Sequence, residues 1–141
     1  FVAHGHSIET KDRVSKFLKN VGLEPIILAE VSDKGDTIIE KFERYSKTAR
    51  FGIVLFTPDD FGFPKARPKE VKPRARQNVI FELGYLLAKL GRRRVRVLYK
   101  DVEIPTNILV VLYIEMDRNN KWKTYLLREL RDADIPVAND V

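Results

Sequence analysis

The stretch Phe51-Gly52-Ile53-Val54-Leu55-Phe56 contains no polar side chain. A strand that buries only one face alternates apolar with polar residues, whereas an unbroken apolar run is typical of a strand covered on both faces. Strands of that kind form the middle of a parallel sheet that carries helices above and below. The run therefore predicts the central strand of an α/β domain.

Four helices are predicted around this strand from apolar residues that recur at three- and four-residue steps. Gly22 and Gly91 follow the first and the third helix, at the position where glycine commonly ends a helix. The second helix is expected to turn Ile38 and Ile39 toward the core. The residues that mark the four helices are Val14, Phe17, Leu18 and Val21; Ile38, Ile39, Phe42 and Tyr45; Val79, Ile80, Leu83, Leu86, Leu87 and Leu90; and Trp122, Tyr125, Leu126, Leu127 and Leu130.

The other strands are predicted at residues 1–3, 24–28 and 95–99, and the last strand lies within residues 108–114. Strands and helices thus alternate along the chain, which favours helices on both faces of a parallel sheet. At 141 residues we expect a single domain over residues 1–141, because a chain of this length buries a substantial core. The predicted fold is a flavodoxin-like three-layer sandwich with a five-stranded parallel sheet in the order 2-1-3-4-5.

Ligands of this fold class bind beyond the carboxyl ends of strands one and three, where the strand order reverses. In this chain those ends are His4-Gly5-His6 and Thr57-Pro58-Asp59-Asp60. Residues 57–73 contain several prolines and no hydrophobic periodicity, so they are predicted to form one long loop. The third helix begins after this loop, which places its donor-rich start, Arg76-Gln77-Asn78, near the same crevice.

The composition excludes several classes of protein. Hydrophobic residues make up 44% and charged residues 33% of the chain, as in an ordinary globular domain. No apolar run approaches the roughly 20 residues that span a bilayer, so no membrane partner is expected. Cysteine is absent, which excludes thiolate chemistry and is compatible with a cytoplasmic location. With only His4 and His6 as imidazoles, we expect no metal site.

Two patches make the chain basic, with a formal charge of +6. Residues 65–76 carry six basic side chains and one acidic side chain, and the run Arg92-Arg93-Arg94 with Arg96 adds four more cations. The arginine run follows a helix C-terminus, where cations are stabilised by the helix dipole. Neither patch has interleaved aromatic residues, so nucleic-acid binding is not expected.

Two types of phosphate-binding site that occur in other α/β proteins fit this sequence poorly. A receiver domain needs acidic residues after strand one to hold a hard cation, and this chain has His4-Gly5-His6 there. Near the end of strand five it has Glu115 where such a site needs a lysine. A dinucleotide or P-loop cradle needs further glycines, and Gly5 stands alone.

Several segments resemble the TIR domains of bacterial anti-phage effectors that respond to cyclic nucleotides, including those fused to a STING domain. The most specific segment is Ala75-Arg76-Gln77-Asn78-Val79-Ile80-Phe81-Glu82-Leu83-Gly84. The other segments are His4-Gly5-His6, Glu24-Pro25-Ile26-Ile27-Leu28, Thr37-Ile38-Ile39-Glu40-Lys41-Phe42, Val54-Leu55-Phe56-Thr57-Pro58-Asp59-Asp60 and Trp122-Lys123. The resemblance therefore runs nearly from end to end.

The resemblance implies an NAD-cleaving hydrolase (an NADase) of antiviral defense, with one glutamate on the third helix, and that glutamate matches Glu82. In the wider family a tryptophan often stands four residues before the glutamate, whereas this chain has Asn78. The implied partners are NAD+, further copies in an oligomer or filament, and a sensor domain or protein that binds a cyclic nucleotide. The loop Ser32-Asp33-Lys34-Gly35 is the expected contribution of a neighbouring subunit. Because the chain does not begin with Met, we expect it to be a fragment of a longer protein.

The residues themselves suit this chemistry. Glu82 lies on the flank of the apolar stripe centred on Leu83, where a carboxylate is neither fully solvated nor part of the core. Glycosidases ordinarily need one carboxyl group to protonate the leaving group and a second to complete the reaction. Nicotinamide is neutral once released, so a single carboxylate can suffice, accepting hydrogen bonds from the ribose hydroxyls and stabilising the cationic transition state. NAD+ is then a substrate, and no cofactor is expected.

The remaining candidates for substrate binding surround the same crevice. They are His4, Gly5, His6, Asp59, Arg76, Gln77 and Asn78. The pyrophosphate suits forked cationic donors such as Arg76, the cations of residues 65–76, or the backbone amides of Gly5 and His6.

Several of these residues suit a structural role equally well. His4 and His6 suit turn formation, and Asp59 suits capping of its own loop. Phe81 and Tyr85 lie away from Leu83 and suit either a contact surface or packing beneath the loop of residues 57–73.

The sequence thus leaves two main functions. One is a nicotinamide-releasing NAD+ glycohydrolase that is activated by oligomerisation, and a glycosyl transfer with Glu82 as nucleophile is a variant of it. The alternative is a non-catalytic TIR scaffold that mediates only protein contacts.

Overall fold

The computed structural model of the protein describes residues 1–105 and 112–138. The strands in chain order are β1 (Val2–Ala3), β2 (Gly52–Phe56), β3 (Asp60–Gly62), β4 (Lys72–Arg74), β5 (Val95–Tyr99) and β6 (Leu112–Glu115). The helices are α1 (Ile8–Asn20), α2 (Ile38–Ser46), α3 (Gln77–Leu90) and α4 (Lys121–Asp132). Short 3-10 turns occupy Leu28–Glu30 and Arg92–Arg94.

The main sheet is parallel, with the order β1-β2-β5-β6. Strand β2 pairs with β1 on one side, where Ile53 lies opposite Val2, and with β5 on the other, where Val54 lies opposite Val97. All five residues of β2 are buried. The prediction of a central strand covered on both faces is therefore confirmed.

Helices cover both faces of the sheet. On one face, α1 and α4 pack against Ile53, Leu55 and Leu98 through residues that include Phe17 and Trp122. On the other face, α2 and α3 cover the strands through a second core. That core includes Phe42, Val54, Phe56, Val79, Leu83, Leu86, Val95 and Val97. The α/β class and the three layers are as predicted.

The predicted strand at residues 24–28 is wrong. The amide of Val2 donates to the carbonyl of Ile26 at 2.9 Å, so the segment lies at the edge where the second strand was expected. Pro25 has no amide hydrogen to extend the pairing, and the chain curls into the 3-10 turn Leu28–Glu30. The main sheet accordingly has four strands among the described residues instead of five. Of the predicted last strand, residues 108–111 lie outside the described part of the chain.

The single long loop predicted for residues 57–73 is also wrong. It contains an antiparallel hairpin in which Phe61 of β3 lies opposite Pro73 of β4. Prolines argue against strands because they remove a ladder donor, but they are tolerated where a strand has a free edge. Each strand of a two-stranded hairpin has such an edge, so the proline content was misleading here.

The inward orientation predicted for the start of α2 is contradicted. Ile38 is 80% and Ile39 is 56% exposed, whereas Phe42, one turn later, is buried. A capping box between Thr37 and Glu40 starts the helix one turn before it reaches the core. The first turn therefore projects past the packed layer and leaves both isoleucines uncovered.

Helix α3 forms where it was predicted. It runs over Gln77–Leu90 with Arg76 at its N-cap, and Val79, Leu83 and Leu86 are buried. Gly91 ends the helix with a φ of 79°, which lies in the region that favours glycine. The helix packs on β1 and β2, so it covers the strands whose carboxyl ends carry the predicted crevice.

Candidate active site

The loops that follow β1 and β2 meet at one edge of the sheet, because these two parallel strands are neighbours. The carboxylate of Asp59 joins them. Its Oδ2 accepts a hydrogen bond from the backbone amide of His6 at 3.1 Å, and its Oδ1 accepts one from the hydroxyl of the buried Thr57 at 2.9 Å. The structure thus brings together two predicted candidates that are more than fifty residues apart in the sequence.

Gly5 allows this close approach. A Cβ atom at this position would lie 1.8 Å from Oδ2 of Asp59, far inside van der Waals contact. The half-buried His4 ring lies with Nδ1 2.8 Å from the carbonyl oxygen of Gly5, so a protonated Nδ1 donates to that oxygen. The backbone amide of His6 already donates its hydrogen bond to Asp59. In this structure Asp59 fastens the two loops together, which is the capping role left open by the sequence.

Replacement of Gly5 by alanine is expected to lower the free energy of unfolding by about 1–3 kcal/mol, because the new methyl group overpacks the site occupied by Asp59. Urea unfolding of both proteins measures this difference. Gly84→Ala is the matched control, since nothing lies within 4 Å of a Cβ there. In the control, alanine should stabilise helix α3 by about 0.5–1 kcal/mol.

A double-mutant cycle identifies the cause of the Gly5 effect. When Asp59→Ala removes the carboxylate, the further change Gly5→Ala should cost little, so the two substitutions should couple by about 1 kcal/mol or more. Independent, additive costs would show that the clash with Asp59 is not the reason for glycine at this position.

Glu82 lies on the flank of α3 and is half-buried. Burial raises the pKa of its carboxyl group from 4.5 to about 7, and the positive charge of Arg76 opposes this rise. Its neighbours on the inner side, Val79 and Leu83, are almost fully buried. A carboxyl group in this environment exists in both protonation states near neutral pH, which is typical of groups at functional sites.

Helical geometry separates the other candidates on α3. At about 100° per residue, Asn78 lies about 40° from Glu82 around the helix, whereas Gln77 lies about 140° away. Gln77 instead lines a cleft of about 350 Å³, together with Arg74, Ala75, Ile80, Glu103 and Pro105. Asn78 therefore shares the flank of Glu82, and Gln77 belongs to the opposite side of the helix.

An aromatic cluster, which the sequence did not indicate, covers the Glu82 flank one turn further on. Tyr85 meets Phe42 of α2 edge to face, with ring centroids 4.8 Å apart, and Phe42 meets Phe1 in the same way at 5.0 Å. Tyr85 is therefore packed against α2. Phe81 remains 55% exposed. No pattern in the sequence pairs α2 with this side of α3, because the contact depends on how the two helices pack.

The basic patches differ in their contacts. In the hairpin segment Arg67 pairs with Glu70 at 2.7 Å, while Lys65, Lys69 and Lys72 are exposed. In the arginine run, Arg94 donates to the carbonyl of Arg50, and the largely buried Arg96 pairs with Glu129 at 2.6 Å. These contacts give Arg94 and Arg96 a structural role.

Within residues 1–105 and 112–138, no three acidic or histidine side chains cluster closely enough to hold a metal ion. In the same part of the chain, no helix is both long and apolar enough to cross a membrane.

A parallel sheet with helices on both faces is the architecture of a TIR-type α/β domain. The chain belongs to the family of CAP12/Pycsar effector protein TIR domains, whose family model matches residues 1–118. The resemblance to anti-phage TIR domains seen in the sequence is thereby confirmed.

Two relatives extend this comparison. Over 141 residues the chain is 48% identical to the uncharacterized protein YuaY of Escherichia coli (strain K12), a match that covers 99% of this chain and 47% of YuaY. Over 133 residues it is 36% identical to the protein tirC of Dictyostelium discoideum, covering 86% of this chain and 65% of tirC. The chain thus spans about half to two thirds of the length of the curated relatives that it matches.

Proposed function

We propose that this chain is the NAD+ glycohydrolase domain of an anti-phage effector, releases nicotinamide from NAD+, and is activated by oligomerisation. The observation that carries the proposal is the half-buried Glu82 on α3, whose carboxyl pKa burial raises to about 7. Membership of the CAP12/Pycsar effector family supports the defence role. We further propose that residues 1–141 are one TIR domain of a longer cytoplasmic protein, controlled by a sensor domain or protein that binds a cyclic nucleotide.

In the proposed reaction Glu82 acts as an anion beside the nicotinamide ribose. The bond between C1′ of the ribose and the pyridinium nitrogen breaks, its electron pair leaves with neutral nicotinamide, and water adds at C1′ to give ADP-ribose and a proton. Positive charge builds up on the ribose in the transition state, and a carboxylate that is partly removed from water stabilises it more strongly than a solvated one. The positive charge on the nicotinamide ring of bound NAD+, which lies next to the ribose, also favours the ionised form of Glu82. This reaction uses no cofactor.

The other candidates take supporting roles in this proposal. Asn78 lies on the Glu82 flank, one turn earlier, and in this proposal it contacts the ribose or the nicotinamide amide. Arg76 stands at the N-cap of α3 and offers a forked cation to the pyrophosphate. His4, Gly5, His6 and Asp59 shape the floor of the crevice, since Asp59 fastens the loops after β1 and β2. Gln77 lies on the opposite side of α3 from Glu82, so in this proposal any contact of Gln77 with NAD+ is made on that side.

The direct test is NAD+ cleavage by the assembled full-length protein, with and without candidate cyclic nucleotides, followed by chromatography of nicotinamide. Nicotinamide release is expected to require assembly and to disappear in Glu82→Ala. Glu24→Ala, which removes an exposed glutamate far along the chain from α3, is the matched control and should leave the release unchanged. Nicotinamide release that persists in Glu82→Ala would disprove the proposed role of Glu82.

The exposed apolar residues favour a second candidate function, a non-catalytic TIR scaffold. Phe61 and Ile38 are 74% and 80% exposed, and exposed apolar patches commonly mark protein contacts. The scaffold predicts no NAD+ turnover in any assembly state and normal assembly of Glu82→Ala. The same assay therefore separates the two functions.

A further inference from the structure

The hairpin of β3 and β4 has one uncovered apolar face. Phe61 lies opposite Pro73, and continuation of the strand alternation places Phe63 and Val71 on the same side. Phe61 is 74%, Phe63 53% and Val71 49% exposed. We call these four residues the hairpin face.

The opposite side of the hairpin is polar, and on it only Gly62 is buried. The guanidinium group of Arg74 lies over Gly62, within 2.3–2.6 Å of where a Cβ atom would be. The hairpin thus has a polar side, where Arg74 lies over Gly62, and an apolar side that is uncovered. An isolated two-stranded hairpin is only marginally stable in water, so a partner on the hairpin face would stabilise it by burying the exposed aromatic rings.

The second uncovered apolar surface is the first turn of α2. Ile38 and Ile39 are 80% and 56% exposed, and the exposed acid Glu43 lies one turn after Ile39 on the same side of the helix. The capping box at Thr37 holds this turn in helical form. We call Ile38, Ile39 and Glu43 the helix face.

The charges around the two faces are opposite. Residues 60–74, which contain the hairpin face, carry five basic and two acidic side chains. Residues 30–44, which contain the helix face, carry five acidic and three basic side chains, and Arg44 pairs with Asp36. The two segments therefore have net charges of +3 and −2. Contact between two hairpin faces, or between two helix faces, would bring like charges together, whereas contact between a hairpin face and a helix face brings opposite charges together.

We propose that the hairpin face of one copy of this chain docks on the helix face of a second copy. Apolar burial supplies the attraction, and the charges select this pairing over the two like-charged ones. Because the two faces are different surfaces of the same molecule, a bound pair still offers one free face at each of its two ends. Such a contact produces open chains unless its rotation closes a ring.

This contact deepens, and rests on, the self-association in the proposed function. Strand β3 begins directly after Asp59, and α2 packs through Phe42 against Tyr85 on the Glu82 flank. Both faces therefore lie on elements that are joined to candidate-site residues, one through the chain at Asp59 and the other through the contact of Phe42 with Tyr85.

The test uses the 141-residue chain, which carries its own cores on both faces of the sheet, and two variants, Phe61→Ser and Ile38→Ser. Both side chains are mostly exposed, so both variants should fold. Sedimentation velocity is expected to show a mass that rises with concentration for the parent chain and monomers for each variant. An equimolar mixture of the two variants should give dimers and nothing larger. One intact hairpin face meets one intact helix face, and the two remaining faces are both altered.

The matched control is Tyr125→Ser, which removes an aromatic residue that is 47% exposed on α4, outside both faces. It should assemble like the parent chain. The proposal is overturned by a monomeric parent chain at every concentration, by Ile38→Ser chains that assemble alone, or by a mixture that stays monomeric. Binding of the parent chain to phosphatidylserine vesicles without self-association would assign the hairpin face to a membrane instead.

Failure of this contact and failure of the proposed function are distinguishable, because nicotinamide is not the readout. A chain that gives the expected dimers but never releases nicotinamide supports the contact and contradicts the enzyme. A chain that releases nicotinamide while the mixture stays monomeric contradicts the contact and supports the enzyme.

Discussion

Replacement of Glu82 by glutamine is expected to lower kcat/KM for nicotinamide release by about two to three orders of magnitude, the loss typical when a group that stabilises transition-state charge is removed. Glutamine has nearly the same shape and retains an acceptor oxygen, but it carries no charge at any pH. The substitution therefore tests the charge of Glu82 and not its volume. Initial rates of nicotinamide release by the assembled protein measure the effect.

The pH dependence of the same reaction provides an independent check. The unliganded protein holds Glu82 with a carboxyl pKa of about 7. The parent kcat/KM should therefore fall as the pH drops below 7, because the carboxylate takes up a proton. The residual rate of Glu82→Gln should be flat over this range. Gln77→Ala, on the opposite flank of α3, is the matched control and should change kcat/KM much less than Glu82→Gln. Equal rates for the parent and Glu82→Gln would contradict an electrostatic role for the carboxylate.

The second large expected effect of Glu82→Gln is on stability. The substitution should increase stability, whereas it should decrease activity. At pH 8, Glu82→Gln is expected to raise the free energy of unfolding by about 1–3 kcal/mol. The folded state binds the Glu82 proton more tightly than the unfolded chain, since burial raises the folded pKa from 4.5 to about 7. Ionised Glu82 therefore destabilises the fold, and this cost grows as the pH rises from 4.5 to 7 and stays constant above. Because the side chain is only half-buried, we expect less than the full 1.4 kcal/mol or so per pH unit.

Urea unfolding of the parent and of Glu82→Gln at pH 5 and pH 8 measures this effect. Other carboxyl groups titrate as well, and hydrogen bonds hold the pKa of Glu40 and Asp117 below the usual range. These groups are common to both proteins, so the difference between parent and variant isolates Glu82. The stability gain should be clearly larger at pH 8 than at pH 5. A stability gain that is independent of pH would show that burial does not destabilise the ionised carboxylate.

Lower activity together with higher stability of Glu82→Gln would indicate that Glu82 is retained for activity at a cost to stability. A residue whose removal stabilises the fold and abolishes turnover is typical of an active site, because catalytic groups are often held where they are poorly solvated. A variant that is both less stable and inactive would instead fit a structural role for Glu82.

The sequence by itself determined the layers of the fold and the place of Glu82 on its helix. The central strand Phe51–Phe56 and helix α3 were readable because burial on two faces and burial on one stripe leave different local patterns. The flank position of Glu82 follows from its spacing relative to Leu83 alone. The resemblance to anti-phage TIR domains was likewise readable from the sequence, since its most specific part, Ala75–Gly84, is a contiguous segment.

The tertiary structure decided which surfaces are covered. Isoleucines at 38 and 39 have the pattern of core residues, yet they are exposed because α2 begins one turn before the sheet can cover it. The fastening of His6 by Asp59 and the packing of Tyr85 on Phe42 depend on neighbours distant in sequence. The raised pKa of Glu82 has the same origin, because desolvation is a property of everything packed around a group and leaves no local pattern in the sequence.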